Sequence, residues 1–161
     1  MKLLKNWDNK TWLSSNSYIS SFNFFLLKKK KLNKKSEILD IGCGRGKIFG
    51  SLSRKLKLTH KPIGVDPVLH KDIDKGIDFR NEDVFKFFRI NQNKFDLIMI
   101  KQTLHFFNKQ KREKLIKICK NNLKKNGILI ILSLNTSNNE IPCFKLMKQK
   151  LNRGLKRDSR M

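Results

Sequence analysis

The chain has 161 residues, room for one domain with one sizeable core, since domains commonly run to about 100–150 residues. Hydrophobic residues make up 39%, and the longest unbroken apolar run, 128–132, falls far short of the roughly 20 residues that a bilayer span needs; no membrane-spanning segment is expected. The formal net charge of +24 invites a nucleic-acid partner, yet Lys outnumbers Arg 29 to 8, Asn and Ile occur 16 times each and Ala is absent, the mark of AT-rich codons, which accounts for much of the charge without any partner.

In chain order, the start MKLLKNWDNKTW is basic but has no apolar stretch behind it, so no secretory signal is expected and a cytoplasmic protein is. Cys43, Cys119 and Cys143 stand far apart with no paired spacing, which predicts reduced thiols, no disulfide and no metal. Residues 1–35 hold Trp7, Trp12, Tyr18, Phe22, Phe24 and Phe25 and end in KKKKLNKK. Within them Tyr18, Ile19, Phe22, Phe25 and Leu26 recur at helical spacing, predicting one amphipathic helix of about 15 residues capped by the Ser/Asn cluster at 14–17.

From residue 37 onwards short apolar runs alternate with longer mixed segments. Strands are predicted at 38–41, 63–65, 77–79, 95–100 and 128–134, and helices at 46–56, 84–90 and 109–123, with a weak helical turn at 68–75. In the last helix Leu115, Ile116, Ile118, Cys119 and Leu123 form the apolar stripe, and KKNG supplies the stop. This alternation predicts an α/β fold, a mostly parallel sheet with helices on both faces. Residues 135–161 hold a Ser/Thr/Asn loop, a basic helix over 142–151 opened by Pro142, and a basic tail.

The chemistry concentrates in ILDIGCGRG, residues 38–46. A triphosphate loop, G-x-x-x-x-G-K-[ST], would need glycine at 41 and a hydroxyl at 48, where Ile41 and Ile48 stand. A dinucleotide fingerprint, G-x-G-x-x-G, would need a third glycine where Lys47 stands, at a point of close helix–strand packing. What remains is D-x-G-x-G-x-G, Asp40, Gly42, Gly44 and Gly46. A carboxylate at the strand end repels a pyrophosphate and suits a ligand that is cationic nearby, such as S-adenosylmethionine with its sulfonium and α-ammonium.

EILDIGCGRGKI resembles motif I of the class I S-adenosylmethionine-dependent methyltransferases, and the likeness continues in register for about a hundred residues through PIGVDP, FRNEDVFKF, KFDLIMIKQTLHFF and LKKNGILIILSL. The resemblance implies a Rossmann-like three-layer sandwich with strand order 3-2-1-4-5 and S-adenosylmethionine as cofactor. It further implies a cofactor site of Asp40, Gly42, Cys43, Gly44, Gly46, Asp66, Pro67, Asp83, Val84, Lys101 and Gln102, with Asp66 on the ribose hydroxyls, Asp83 on the adenine amino group and Val84 beside the ring. His105 is the candidate base, and Trp12, Tyr18, His105 and Phe106 are the candidate lid and acceptor residues. The segments implied are an N-terminal helical lid over 1–35, the S-adenosylmethionine domain over 36–134 and a loop, helix and basic tail over 135–161.

Alternatives stand beside several of these. Asp40 has the alternative of capping the helix near Gly46, Asp66 that of a turn residue before Pro67, and Asp83 that of an N-cap, with Glu82 as its rival for adenine. Cys43 reads as a small packing residue, and His105 as a base or as a residue packed beneath the lid. Nothing resembles [DN]-P-P-[YFW], the signature of methylation at exocyclic amines of bases, because that place reads IKQT. A small-molecule acceptor, of the small-molecule branch of the family, is therefore expected over RNA, with a truncated non-catalytic cofactor-binding protein as the third reading. The family domain has seven strands and this chain five, so the expectation is a C-terminally truncated form, a homodimer through the fifth-strand edge, or a minimal form whose tail covers that edge.

Overall fold

The structure, a computed structural model, describes residues 16–133. Trp12, Cys143, the start of the Ser/Asn cluster and everything expected of 134–161 lie outside the described residues. The elements in order are α1 (Asn16–Lys29), β1 (Ile38–Ile41), α2 (Lys47–Leu56), β2 (Ile63–Val65), β3 (Asp78–Arg80), α3 (Val84–Ile90), β4 (Phe95–Lys101), a 3-10 turn (Leu104–Phe106), α4 (Lys109–Asn121) and β5 (Leu123–Leu132). The five strands pair in parallel in the order β3-β2-β1-β4-β5, the expected Rossmann-like arrangement.

Side chains alternate across a strand, and here the alternation sorts the core into two layers. Ile38, Leu97 and Met99 face one side with Ile19, Phe22 and Leu26 of α1 and Phe49 and Leu52 of α2. Leu39, Ile41, Ile98 and Ile100 face the other with Val84 and Phe87 of α3 and Leu115 and Cys119 of α4. Phe49 and Phe95 are fully buried, each stabilising the fold by about 1.5–3 kcal/mol relative to exposure. Two positions beyond Ile38 in β1 and beyond Met99 in β4, the same alternation puts Asp40 and Lys101 on the α1–α2 face, in adjacent strands.

The departures from expectation have local causes. The stripe of α1 is Ile19, Phe22, Asn23 and Leu26, and Phe25 turns outward at 36% exposure. Asn23 holds its buried place by donating from Nδ2 to Ser51 Oγ of α2 at 3.1 Å. Residues 68–75 form turns and no helix, because Asp74 is committed elsewhere: its carboxylate accepts from the Gly76 N–H and pairs bidentately with Arg54 at 2.6 and 3.0 Å. β3 runs one residue later than expected, since Asp66 N–H donates to Arg80 carbonyl, while Ile77 turns into the core.

KKNG does not end α4. Asn122 caps the helix, its N–H donating to the Ile118 and Cys119 carbonyls, and the strand begins at once with Leu123 opposite Phe95. Residues 124–127 lie within β5 at a register shift between the Phe95 and Leu97 pairings. Gly127 is needed there: a Cβ would stand 2.5 Å from the Phe95 carbonyl oxygen.

Candidate functional site

The order 3-2-1-4-5 reverses direction between β1 and β4, and a crevice opens outside the carboxyl ends of strands at such a point. The loop after β1 enters it through Gly42, Gly44 and Gly46, all left-handed at φ 71, 55 and 67. Gly42 is also close-packed, since a Cβ there would lie 2.0 Å from Thr103 Oγ1, whereas a Cβ on Gly44 would meet nothing within 4 Å. The loop is thus packed at its start and open in the middle, leaving bare backbone for a ligand to lie against. Gly46 is the N-cap of α2 and offers no side-chain hydrogen bond, and Asp40 does not take that role.

Two backbone bonds, from the Gly42 and Cys43 N–H groups to the Val65 carbonyl at 2.8 and 3.3 Å, tie the loop to β2. Cys43 Sγ packs where a Cβ on Gly64 would be, and burial, with the charges of Asp40 and Asp66, pushes its thiol up, so it is a packing residue and no thiolate.

Asp66 braces the same loop from β2. Its Oδ2 accepts from Gly44 N–H and its Oδ1 from Val68 N–H, both at 2.9 Å, and each oxygen retains capacity for a further donor. Asp40, beside it, is 4% exposed, and its Oδ1 has no hydrogen-bond partner. Burial pushes its carboxyl up to about 7, Lys101 counteracting and Asp66 adding to the effect. Gln102, at the end of β4, holds φ 55 and donates its N–H to the Leu132 carbonyl at 2.7 Å, while its buried Oε1 is likewise without a partner. Buried polar atoms are nearly always paired, and two unpartnered acceptors beside an open glycine loop are an arrangement that a donor-bearing, cationic ligand can satisfy.

Other expected residues take their places around this centre. Tyr18 of α1 stands with its ring 6.0 Å from Lys101 Nζ, bringing the N-terminal helix to the crevice, and burial raises its phenol. Asp83 caps α3, Oδ1 accepting from Phe85 and Lys86 N–H at 2.8 and 3.3 Å. Val84 is buried with Leu39 and Val65, and Pro67 is exposed. His105 and Phe106 lie exposed on the 3-10 turn, their rings 4.1 Å apart, and partial burial with the nearby Arg112 charge holds the imidazole below its ordinary pKa.

Three residues escaped the sequence reading. Thr103 Oγ1 donates towards the Lys101 carbonyl at 3.0 Å and the Ile41 carbonyl at 3.3 Å, stitching the ends of β4 and β1 together. Arg112 Nε reaches back to the Leu104 and Phe107 carbonyls at 2.9 and 2.7 Å and fixes the turn that carries His105. Asn81 donates to the Asp66 carbonyl at 3.0 Å. A hydroxyl directly after a strand end was a usable signal for Thr103; nothing local marked the other two. Among the described residues no group of three or more His, Cys, Asp or Glu is placed to hold a metal, and no helix is long and apolar enough to cross a membrane.

Comparison with known proteins places the chain. A family model described as a methyltransferase domain matches residues 39–131. A curated relative, the carboxy-S-adenosyl-L-methionine synthase of Helicobacter pylori strain HPAG1, is 31% identical over 108 residues, covering 64% of this chain and 45% of that protein. The chain therefore spans less than half the length of that relative. Among solved structures, the plantazolicin methyltransferase BpumL in complex with SAH aligns with a TM-score of 0.65 at 24% identity, over 84% of this chain and 53% of that one. A SAM-dependent methyltransferase from Geobacter sulfurreducens, in complex with S-adenosyl-L-homocysteine, aligns with a TM-score of 0.59 at 12% identity, over 81% of this chain and 54% of that one. At these identities the two structures speak for the fold alone.

Proposed function

This chain belongs to the methyltransferase domain family, and on that footing we propose that it binds S-adenosylmethionine at the carboxyl ends of β1, β2 and β4 and passes the methyl group to a small-molecule acceptor by in-line displacement. The observation that carries the reading is the pair of buried, unpartnered acceptors, Asp40 Oδ1 and Gln102 Oε1, set beside a glycine loop open at Gly44.

When bound, S-adenosylmethionine supplies a methyl group already activated by a sulfonium. The chain's own residues bind and orient. Asp66, with acceptor capacity left on both oxygens, takes the ribose hydroxyls through charge-assisted hydrogen bonds while bracing Gly44 and Val68. Asp40 and Gln102 accept from the amino-acid half, and Asp83 offers the oxygen not used in capping to the adenine amino group. Thr103 and Arg112 hold the loop and the 3-10 turn so that His105 faces the acceptor, where its lowered imidazole pKa leaves it neutral and able to take a proton at neutral pH. Holding S-adenosylmethionine in this crevice beside an acceptor would align the nucleophile with the methyl group, which can supply much of the acceleration. α1, with Tyr18 against Lys101, borders the crevice on the side where the acceptor would enter.

Isothermal titration with S-adenosylmethionine and S-adenosylhomocysteine tests the reading. Micromolar binding of both is expected, and no binding of either up to millimolar would overturn it. The curated likeness favours a second reading, in which the chain makes carboxy-S-adenosyl-L-methionine. Mass spectrometry of the cofactor recovered from the purified protein separates the two: S-adenosylmethionine or its demethylated product supports methyl transfer, the carboxylated form supports synthesis.

A further inference from the structure

Asp40 sits in the second-last position of a strand buried along its whole length, and a carboxylate there loses its hydration without gaining a full set of donors. The titratable and charged groups facing it are Lys101 from the end of β4, Asp66 from the end of β2 and Cys43 from the loop after β1. Only Lys101 among them favours the ionised form, and it belongs to the same face of the adjacent strand. Lys101 in turn lies by the Tyr18 ring of α1, an alternative resting place for its ammonium.

We propose that Asp40 and Lys101 form a charge-sensing pair: a cation entering beside Asp40 takes over the compensation that Lys101 gives in the free protein, and Asp40 releases a proton to solvent as the ligand binds. The inference rests on the reading of this crevice as the cofactor site and adds a linkage to it. The carboxyl of the free protein, pushed up to about 7, is largely protonated at pH 6, so binding a cation costs the removal of that proton. Affinity for a cationic ligand therefore rises with pH up to neutrality and levels off above it. Lys101 sets where the rise falls, because without its charge Asp40 would hold the proton to higher pH.

Titration calorimetry of the full chain with S-adenosylmethionine, in buffers of differing ionisation enthalpy between pH 5.5 and 7.0, tests this below the range in which the ligand's own α-amino group titrates. The wild type should release up to about one proton per site at the low end and bind about tenfold more tightly at pH 7.0 than at 5.5. Asp40→Asn, isosteric and uncharged, should bind with no proton release and no such rise. Lys101→Met should keep the proton release and shift the rise to higher pH, and it serves should the Asp40 variant fail to fold. A wild type that binds with constant affinity and no proton release, an Asp40→Asn variant that still releases a proton, or a Lys101→Met profile unchanged in position would each overturn the proposal while leaving the cofactor reading intact. No binding at any pH would overturn that reading itself.

Discussion

The two ends of one sheet treat a carboxylate in opposite ways. At the amino end, Asp96 of β4 accepts from the Glu37 N–H at 2.8 Å and from Lys124 Nζ at 2.7 Å. Burial pushes its carboxyl up, but these donors and the Lys30 charge outweigh it and hold it below the ordinary range. At the carboxyl end, Asp40 of the neighbouring strand is more deeply buried, keeps an orphaned oxygen and is raised. The first carboxylate is consumed by the fold. The second keeps an acceptor the fold does not use, which is the contrast on which the proposed cofactor site rests.

The sharpest way to break the contrast is at Asp66, which serves both purposes. Asp66→Ala removes the proposed ribose acceptor and the brace on Gly44 together, and should weaken S-adenosylmethionine by about 100-fold or more, roughly 3 kcal/mol, in a calorimetric titration. Normal binding by this variant would show the ribose to be placed wrongly. Next comes Gly42→Ala, whose Cβ meets Thr103 at φ 71; it should lower stability by about 1–3 kcal/mol for the backbone alone, read as a fall in Tm. Adding Thr103→Ala should recover most of the part due to overlap, leaving the Cβ contact at 2.9 Å, and none of the part due to φ.

A smaller effect separates the cap that Asp83 makes from the adenine contact proposed for it. Asp83→Ala should cost about 1 kcal/mol in thermal unfolding through the lost cap of α3, and Asp83→Ser, which restores the cap but not the charge, should recover the stability while leaving cofactor binding weakened. If Ser restores binding as well, the residue is a cap only.

The smallest effects sharpen the comparison through pH. Asp96 has a lowered folded pKa, so the stability it contributes is present above the unfolded value near 3.9 and is lost as pH falls through the folded one. Asp40 is raised, so the fold holds a proton that the unfolded chain does not between about pH 4 and 7, and its contribution fades as pH rises across that window. Asp96→Asn should therefore destabilise the ligand-free protein at pH 7, and Asp40→Asn should stabilise it or leave it unchanged. Denaturant unfolding at pH 5 and 7 checks both signs.

The strands and the glycine loop were legible because short apolar runs and glycine spacing are local signals, whereas the strand order came from the family resemblance and not from any pattern within the chain. The structure brings Asp40, Gly42, Gly44 and Asp66 together at one end of the sheet. The start of β5 was missed because KKNG has the composition of a stop, whereas pairing of Leu123 with Phe95 and the bulge at Gly127 are set by β4, distant in sequence. Arg112 was invisible for another reason: its bonds to the Leu104 and Phe107 carbonyls are short-range, but they depend on the geometry of the 3-10 turn, which no residue type there announces. The helix expected within 68–75 yielded to turns around Asp74, whose partner Arg54 lies a whole strand away.

S-adenosylmethionine is proposed to bind at the carboxyl end of the sheet and not at its amino end. Amide chemical-shift mapping of the full chain during a titration with that compound tests it most directly. The account predicts saturable shifts at Gly42, Gly44, Asp66 and Gln102, with Glu37, His60, Asp96 and Lys124 unmoved. Shifts confined to the second group, or none in either group up to millimolar ligand, would contradict it.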